Sequence, residues 1–288
     1  MWKRSLARLF NLAISALFGC AFELWATARR RLGGEKAGTC IVLYYHEVRS
    51  ENRLRFARQM DMLLRYTQPV HADHVIPLSA NKRYAAVTFD DGYLNVIENA
   101  IPELEKRRIP ATLFIITDAL GKLPNWLTDP NSDTAKQPVV SAGRLRELSP
   151  DLVTVGSHTR THARLTDLQD ADAKREIFES RRQLEEILGV AVRLFSFPFG
   201  AFNAKLIAFC KEGGYERVFT TKPSVAFRDP REFVTGRVSV EPTDWPLEFR
   251  LKLRGAYRWQ VAARSLKSKV RGAGMWPSAR IVNFHVSS

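Results

Sequence analysis

The chain has 288 residues, of which 45% are hydrophobic and 26% charged. This is the composition of an ordinary globular protein, and it excludes a disordered chain, a collagen-like repeat and a multi-span membrane protein. The net charge of +14 lies at the ends: residues 1–38 hold seven basic and two acidic residues, residues 249–288 hold nine basic and no acidic residues, and residues 39–248 hold 28 of each. Since a nucleic-acid-binding fold more commonly carries its charge on the folded body, we expect no nucleic-acid partner.

Residues 1–38 predict a membrane-anchor or signal-like segment. Residues 9–28 are mostly apolar and have basic residues on both sides, and twenty helical residues are long enough to cross a hydrocarbon core. An uncleaved anchor, a signal peptide with residues 9–18 as its apolar region, a lipid-attached Cys20 and a helix lying among the lipid headgroups all fit. The alternative is an amphipathic helix packed on the domain. We expect membrane association through this segment, with the side of the membrane left open.

The body, residues 39–248, alternates short apolar runs with helical patterns, which is typical of βα units. The predicted strands and helices, in chain order, are strand 40–45, helix 54–66, strand 84–89, helix 94–108, strands 111–117 and 152–156, helix 170–188, strand 192–197, helix 203–213, and strands 217–221 and 233–239. Pro102 predicts a kink or a restart in the second helix. The fold class is therefore α/β.

Polar residues follow four of the predicted strands. His46, the pair Asp90-Asp91, the pair Ser157-His158 and the run Pro198-Phe199-Gly200 each come directly after an apolar run. In an α/β barrel the active site is built on the loops that follow the strands. We therefore expect these strand ends to meet at one mouth.

These strand ends contain donors suited to a metal ion. His158 and His162 are four residues apart, and on a helical turn that spacing places both imidazoles on one face. Asp90 and Asp91 are adjacent, so on an extended backbone their side chains point in different directions and can take separate roles. Two imidazoles and one carboxylate form a facial metal triad, and the remaining carboxylate can remove a proton from water. Zinc is the expected ion, with cobalt, nickel or iron as alternatives.

Two of these motifs carry a family resemblance. Thr88-Phe89-Asp90-Asp91-Gly92 and the six residues from Ser157 to His162 closely resemble the first two motifs of the polysaccharide deacetylases, the NodB-like carbohydrate esterases of family 4. The resemblance implies a single distorted (β/α) barrel of the NodB-homology type over residues 39–248. It also implies that Asp90 is the general base and that Asp91, His158 and His162 bind the metal.

A third motif of this family is matched more loosely by residues 195–200, FSFPFG. The resemblance implies that Phe199 supplies a backbone N–H to the oxyanion, and that Tyr45, Tyr93, Pro198 and Phe199 line the substrate groove. Ser196 occupies the place of the family's usual arginine, so Asp90 either lacks an arginine partner or takes one from elsewhere, with Arg193 or Arg237 as candidates.

The family's usual late Leu-His-Asp motif, which supplies the general acid, is not evident. Tyr44-Tyr45-His46-Glu47-Val48 instead resembles the early Tyr-His motif of poly-N-acetylglucosamine deacetylases. His46 is therefore the predicted general acid, and His285 near the end of the chain is the alternative.

The last segment, residues 249–288, mixes basic and apolar side chains. It predicts an amphipathic helical extension that contacts an anionic membrane. A final barrel helix with a solvated basic face is an equal alternative, and binding of an anionic glycan or a lipid-linked pyrophosphate sugar is a third.

The function implied is metal-dependent hydrolysis of N-acetyl groups from a polysaccharide or a lipid-linked sugar, with release of acetate. The alternatives are an O-acetyl esterase and a non-catalytic module that binds a glycan or a membrane. The glycan, its length and the oligomeric state are not predicted.

Overall fold

Seven parallel strands close into a barrel in the computed structural model. The structure describes residues 2–31, 37–73, 78–229, 231–261 and 263. The closure is made by β1, which pairs with β3 on one side and with β8 on the other. A short β2 pairs with the first half of β3. The strands are β1 (Thr39–Tyr45), β2 (Gln68–Pro69), β3 (Arg83–Phe89), β4 (Ala111–Ile115), β5 (Val153–Ser157), β6 (Leu194–Ser196), β7 (Arg217–Thr220) and β8 (Val234–Ser239). The predicted fold class, a (β/α) barrel, is confirmed.

Helices surround the barrel. They are α1 (Trp2–Arg31), α2 (Arg53–Tyr66), α3 (Ile101–Arg107), α4 (Ala142–Arg146), α5 (Asp170–Leu188), α6 (Ala204–Glu212) and α7 (Pro246–Leu253). The predicted restart near Pro102 takes the form of a π-helical turn, Val96–Ala100, which leads directly into α3. Helix α5 has the predicted bounds, and it ends at Gly189 in the left-handed conformation that glycine adopts at little cost. The sequence analysis missed β2 and α4.

The strands separate two apolar layers, because successive side chains of a strand point to opposite faces. On β1, Cys40 and Val42 pack inside the barrel, whereas Ile41, Leu43 and Tyr45 pack outward against the helices. The same alternation places Tyr44 on the inner side of the barrel, next to the side chain of Arg237 from β8. This alternation decides which of the residues near the strand ends can reach the mouth.

The two ends of the described chain pack together. Helix α1 contacts α7 and the helical turn Ala256–Arg258, and it buries Leu12 and Ala16 partly against an apolar cluster there. Among the described residues, no helix combines the length and the apolar character needed to cross a membrane. Most of the predicted C-terminal extension, including His285, lies outside the described residues.

Candidate active site

The first feature of the barrel mouth is a buried ion pair between Asp90 and Arg237. Asp90 follows β3, and its two carboxylate oxygens accept hydrogen bonds of 2.7 Å from the two Nη atoms of Arg237. Arg237 is fully buried on β8, and it also donates to the hydroxyls of Thr88 and Ser196. Burial raises the pKa of Asp90, but Arg237 and His158 outweigh it, and the pKa lies below its ordinary value. Asp90 is therefore held ionised in a fixed orientation.

The structure decides between the two arginines that the sequence offered as partners of Asp90. Arg237 points into the barrel, whereas Arg193 lies on the surface, where it is 3.5 Å from Glu216. Ser196 occupies the position of the missing arginine, and its hydroxyl accepts a hydrogen bond of 2.7 Å from Arg237. A small side chain at this position thus leaves room for a guanidinium that arrives from another strand.

Three metal-ligand side chains meet beside this ion pair. One carboxylate oxygen of Asp91, Oδ1, lies 3.4 Å from the Nε2 atom of His158 and 3.4 Å from that of His162. The three donor atoms lie within 4.8 Å of one another, and all three residues are buried. The Oδ1 atom of Asp91 has no hydrogen-bond partner among the described residues. A buried carboxylate oxygen left without a donor and faced by two imidazole nitrogens fits a divalent cation.

The two histidines do not lie on a helical turn, which corrects the local structure expected from their spacing. They belong to the irregular loop that follows β5, in which Thr159 and His162 adopt φ values of 68° and 62°. The Thr159 side chain accepts a hydrogen bond from the backbone N–H of His162. Left-handed residues turn the loop back on itself, so the imidazoles converge without a helix.

A carboxylate from α5 holds this loop in place. Glu176 accepts hydrogen bonds of 3.0 and 2.9 Å from the backbone N–H groups of Arg160 and Thr161, and one of 2.9 Å from the Thr161 hydroxyl. The sequence analysis did not identify Glu176, because nothing in the helical pattern of α5 marks a residue that binds a distant loop. Its contacts make it a positioning residue for both histidines.

The two histidines have different environments. The Nδ1 atom of His158 lies 2.8 Å from the carbonyl oxygen of Ser196, and this contact leaves Nε2 directed at Asp91. Burial lowers the pKa of His158, but Asp90 and Asp91 outweigh it, so that pKa lies above its ordinary value. Burial lowers the pKa of His162 to about 3, against the opposing effect of Asp91. His162 is thus a neutral imidazole, the form that binds metals.

His46 lies at the same mouth, just after β1. It lies close enough to Asp90, Asp91 and the buried Glu241 to act on the pKa of each of these carboxyl groups in the lowering direction. It is half-buried and makes an edge-on contact with the ring of Tyr44, at 5.6 Å between centroids. The structure thus brings together His46, Asp90, Asp91, His158 and His162.

Aromatic side chains form the rim of the site. The exposed ring of Phe199 has its centroid 4.6 Å from that of the His162 ring. The centroid of the Trp126 ring is 5.2 Å from that of the His162 ring. Trp126 also faces Tyr93. The Nε1 of Trp126 and the hydroxyl of Tyr93 are buried, and neither has a hydrogen-bond partner among the described residues. Trp126 was missed because it lies in a polar loop, and only its position after a strand points to the site.

Two expected groove residues are instead in the interior. Tyr45 is fully buried, donates its hydroxyl to Gln59 at 2.8 Å and stacks on Phe89. The reason is strand alternation: Tyr44 and His46 face the mouth, so Tyr45 must face outward into the helix layer. Pro198 is also buried. Tyr93 is buried at the edge of the site, and only Phe199 of the four expected residues has an exposed side chain.

Phe199 has an unusual backbone. Its φ is 58° and its ψ is 5°, in the left-handed region that a phenylalanine seldom adopts. Asp91, Thr159 and His162 also have positive φ angles. Strained backbone of this kind is held by its surroundings and is concentrated at functional sites. Four such residues around one metal-ligand cluster mark this mouth as the functional end of the barrel.

Comparisons with known proteins find similarity to polysaccharide deacetylases. The family model described as polysaccharide deacetylase matches residues 78–218. The Bacillus subtilis protein YxkH, a polysaccharide deacetylase by name, is 24% identical over 219 residues, which cover 72% of this chain and 74% of that protein. The poly-β-1,6-N-acetyl-D-glucosamine N-deacetylase of Staphylococcus epidermidis is 26% identical over 168 residues. That alignment covers 55% of each protein, so the chain spans about half the length of this relative.

A solved structure is also similar. The structure of IcaB from Ammonifex degensii superposes with a TM-score of 0.64 at 26% sequence identity. The match covers 76% of this chain and 98% of that one.

Proposed function

We propose that this chain, whose residues 78–218 match the family model described as polysaccharide deacetylase, is a metal-dependent enzyme that removes N-acetyl groups from an amino-sugar polysaccharide or a lipid-linked N-acetylated sugar. The observation that carries the proposal is the convergence of Asp91, His158 and His162 beside an ionised Asp90. Similarity to a poly-N-acetylglucosamine deacetylase supports the choice of an N-acetylated glycan.

We assign the metal site to Asp91, His158 and His162. One carboxylate and two neutral imidazoles suit zinc, and cobalt, nickel or iron can use the same ligands. When bound, such an ion supplies Lewis acidity, which polarises the acetamide carbonyl and lowers the pKa of water. The hydrogen bond from His158 Nδ1 to the carbonyl oxygen of Ser196, and those from the backbone N–H groups of the histidine loop to Glu176, keep the metal-binding atoms aligned.

Asp90 is the general base in this mechanism. Its pKa lies below the ordinary value, so it is ionised at neutral pH and can accept a proton from the attacking water. The bidentate hydrogen bonds from Arg237 fix the plane of the carboxylate. Each oxygen keeps a second lone pair, and one of these receives the proton.

His46 completes the reaction as the general acid. Water adds to the acetamide carbon, and when the C–N bond breaks the amine nitrogen takes a proton from His46, because an unprotonated amide anion is a poor leaving group. The backbone N–H of Phe199 is assigned as a donor to the oxyanion that develops on the carbonyl oxygen. The products are acetate and a free amino sugar.

The proposal is tested by assaying acetate release from N-acetylglucosamine oligomers, from lipid-linked N-acetylated sugars and from an O-acetylated xylan. We expect release from at least one N-acetylated substrate, loss of release on chelation, and recovery with zinc or cobalt. Asp90→Asn removes the base and should lower the rate by at least about 100-fold. Release that persists with a chelator, or full activity of Asp90→Asn, would contradict the mechanism. Release from the xylan alone would favour the esterase.

A further inference from the structure

Helix α1 uses one of its faces to pack on the barrel. Arg8 donates to a side-chain oxygen of Glu248 at 2.6 and 2.8 Å and lies over the ring of Trp245. About two helical turns further along, the fully buried Ser15 accepts a hydrogen bond of 2.9 Å from the Nε1 of Trp259. The face formed by Arg8, Leu12, Ser15 and Gly19 is thus covered by α7 and the turn that follows it.

The opposite face of α1 is apolar and exposed. Leu6, Phe10, Leu17 and Leu24 have 55%, 67%, 73% and 72% of their surfaces accessible, and Leu9 flanks them. Their spacing of three, four or seven residues places them on one side of the helix. We call these five residues the α1 stripe. Single exposed leucines need no explanation, whereas a continuous row along a helix indicates a surface that is covered by something else.

The packing of α1 also joins the two basic ends of the chain. Gly19 lies against Ala256, and Ser15 binds Trp259, so α1 is adjacent to the start of the segment 249–288. These ends carry charges of +5 and +9 by sequence, whereas the body between them is neutral. By sequence these charges lie at opposite ends of the chain, and the fold places Ala256 and Trp259, near the start of the second segment, against α1.

We propose that the α1 stripe lies in the headgroup region of an anionic membrane, and that the net positive charge of the two end segments strengthens the attraction to the lipid phosphates. An exposed apolar row accompanied by a strong positive charge is the pattern of an interfacial helix. A second copy of the chain is disfavoured as the occupant, because pairing two α1 helices would also bring two sets of cationic ends together. The barrel face of α1 is already occupied, which leaves the stripe as the surface that enters the lipid.

This arrangement relates the membrane to the barrel mouth. Arg8 donates to the carbonyl oxygen of Thr243 and to Glu248, while Gly19 is next to Leu251 and Ala256, so α1 runs in the same direction as α7. Helix α7 begins after the loop that leaves β8 at the catalytic end of the barrel. The N-terminal half of α1 is therefore near that end, and the mouth lies beside the membrane rather than far above it.

The test is flotation of the full chain with vesicles of phosphatidylcholine alone and of phosphatidylcholine mixed with phosphatidylserine. We expect binding to the anionic vesicles, weaker binding at high salt, and little binding to phosphatidylcholine alone. The double variant Phe10→Glu/Leu17→Glu should lower the affinity by about tenfold for each substituted residue, because each inserted apolar side chain contributes roughly that factor. Val190→Glu makes the same kind of change at a residue 63% exposed after α5, and should bind like the unaltered chain.

Two results would overturn the proposal. One is the absence of flotation with anionic vesicles at low salt; the other is equal flotation of the double variant and the unaltered chain. Light scattering without lipid provides a further check, since a dimer that the double variant abolishes would identify a second copy as the occupant. Thermal unfolding of each variant establishes that it is folded. None of these measurements uses acetate release, so a failure of the membrane proposal can be distinguished from a failure of the proposed enzymatic activity.

Discussion

Replacing Arg237 by Met tests how Asp90, the proposed general base, is held. The side chain of Met keeps an unbranched apolar stem like that of Arg, but it removes both hydrogen bonds to Asp90 and the donors to Thr88 and Ser196. Asp90 is 3% exposed and Arg237 is fully buried, so water cannot take the place of the guanidinium without a rearrangement. The variant therefore leaves a buried, uncompensated carboxylate.

The expected loss of unfolding free energy follows from that burial. Removing one partner of a buried ion pair costs about 3–5 kcal/mol of unfolding free energy. The matched control is Arg193→Met, which breaks a 3.5 Å contact with Glu216 between side chains that are 60% and 62% exposed. An exposed pair of this kind contributes less than about 1 kcal/mol. The double variant Arg237→Met/Asp90→Asn removes the unpaired charge as well, and should recover part of the loss.

The pH dependence of this loss has a definite sign. In the unaltered chain the pKa of Asp90 is below its ordinary value, so its contribution to stability is present above that value and is lost as the pH falls through the lowered pKa. In Arg237→Met, burial is no longer opposed by the guanidinium and the pKa of Asp90 rises. The variant is then destabilised most at neutral pH. The difference narrows as the pH falls through the raised pKa of Asp90 towards about pH 4, where this carboxyl also takes up a proton in the unfolded chain.

Urea unfolding of the chelated proteins at pH 7 and pH 4 measures these differences, and acetate release measures the accompanying loss of activity. The reasoning is refuted if Arg237→Met is no less stable than Arg193→Met at pH 7, or if its deficit is as large at pH 4.

The remaining predictions concern the metal ligands, the general acid and the rim. Glu176→Gln should weaken zinc binding by about 10–100-fold in a calorimetric titration, because it loosens the histidine loop. Glu179→Gln, which alters a partly buried side-chain contact with Arg160, should not. Equal affinities for the two variants would show that Glu176 does not position the ligands. His46→Ala should lower the rate of N-acetyl hydrolysis by at least about 100-fold. It should lower the rate on an O-acetyl substrate less, since an alkoxide leaves more readily than an amide anion. Equal losses on both substrates would show that His46 is not the general acid. Trp126→Ala should raise KM for an oligosaccharide by about threefold to tenfold, and Trp126→Phe should have an intermediate effect. The reason is that an aromatic ring at the rim contributes about 0.5–1.5 kcal/mol to the binding free energy. An unchanged KM for both variants would show that the sugar does not bind at Trp126.

The sequence predicted the barrel, and it singled out the three side chains of the candidate metal site, because both rest on local patterns. Apolar runs that end in polar residues indicate strands that lead to a mouth, and two motifs contain Asp90, Asp91, His158 and His162 within short stretches. The end of α5 at Gly189 and the Asn203 cap, which accepts a hydrogen bond of 2.9 Å from Leu206 N–H, are likewise decided by neighbouring residues.

Contacts between distant residues could not be predicted in the same way. The choice of Arg237 over Arg193 depends on which strand face points into the barrel, and the role of Glu176 depends on how α5 packs against the histidine loop. The assignment of Tyr45 to the groove was wrong for a simpler reason. If His46 faces the mouth, the alternation of a strand places Tyr44 with it and directs Tyr45 into the core.

The central claim, a metal-dependent deacetylase site on Asp91, His158 and His162, is tested most directly by measuring bound metal and acetate release on the same samples. We predict one zinc per chain, with release of acetate that matches the free amine formed on an N-acetylated oligosaccharide or lipid-linked sugar. Asp91→Asn should lose the metal and the activity together. Acetate release by a metal-free chain, or an Asp91→Asn variant that keeps both metal and activity, would contradict the account.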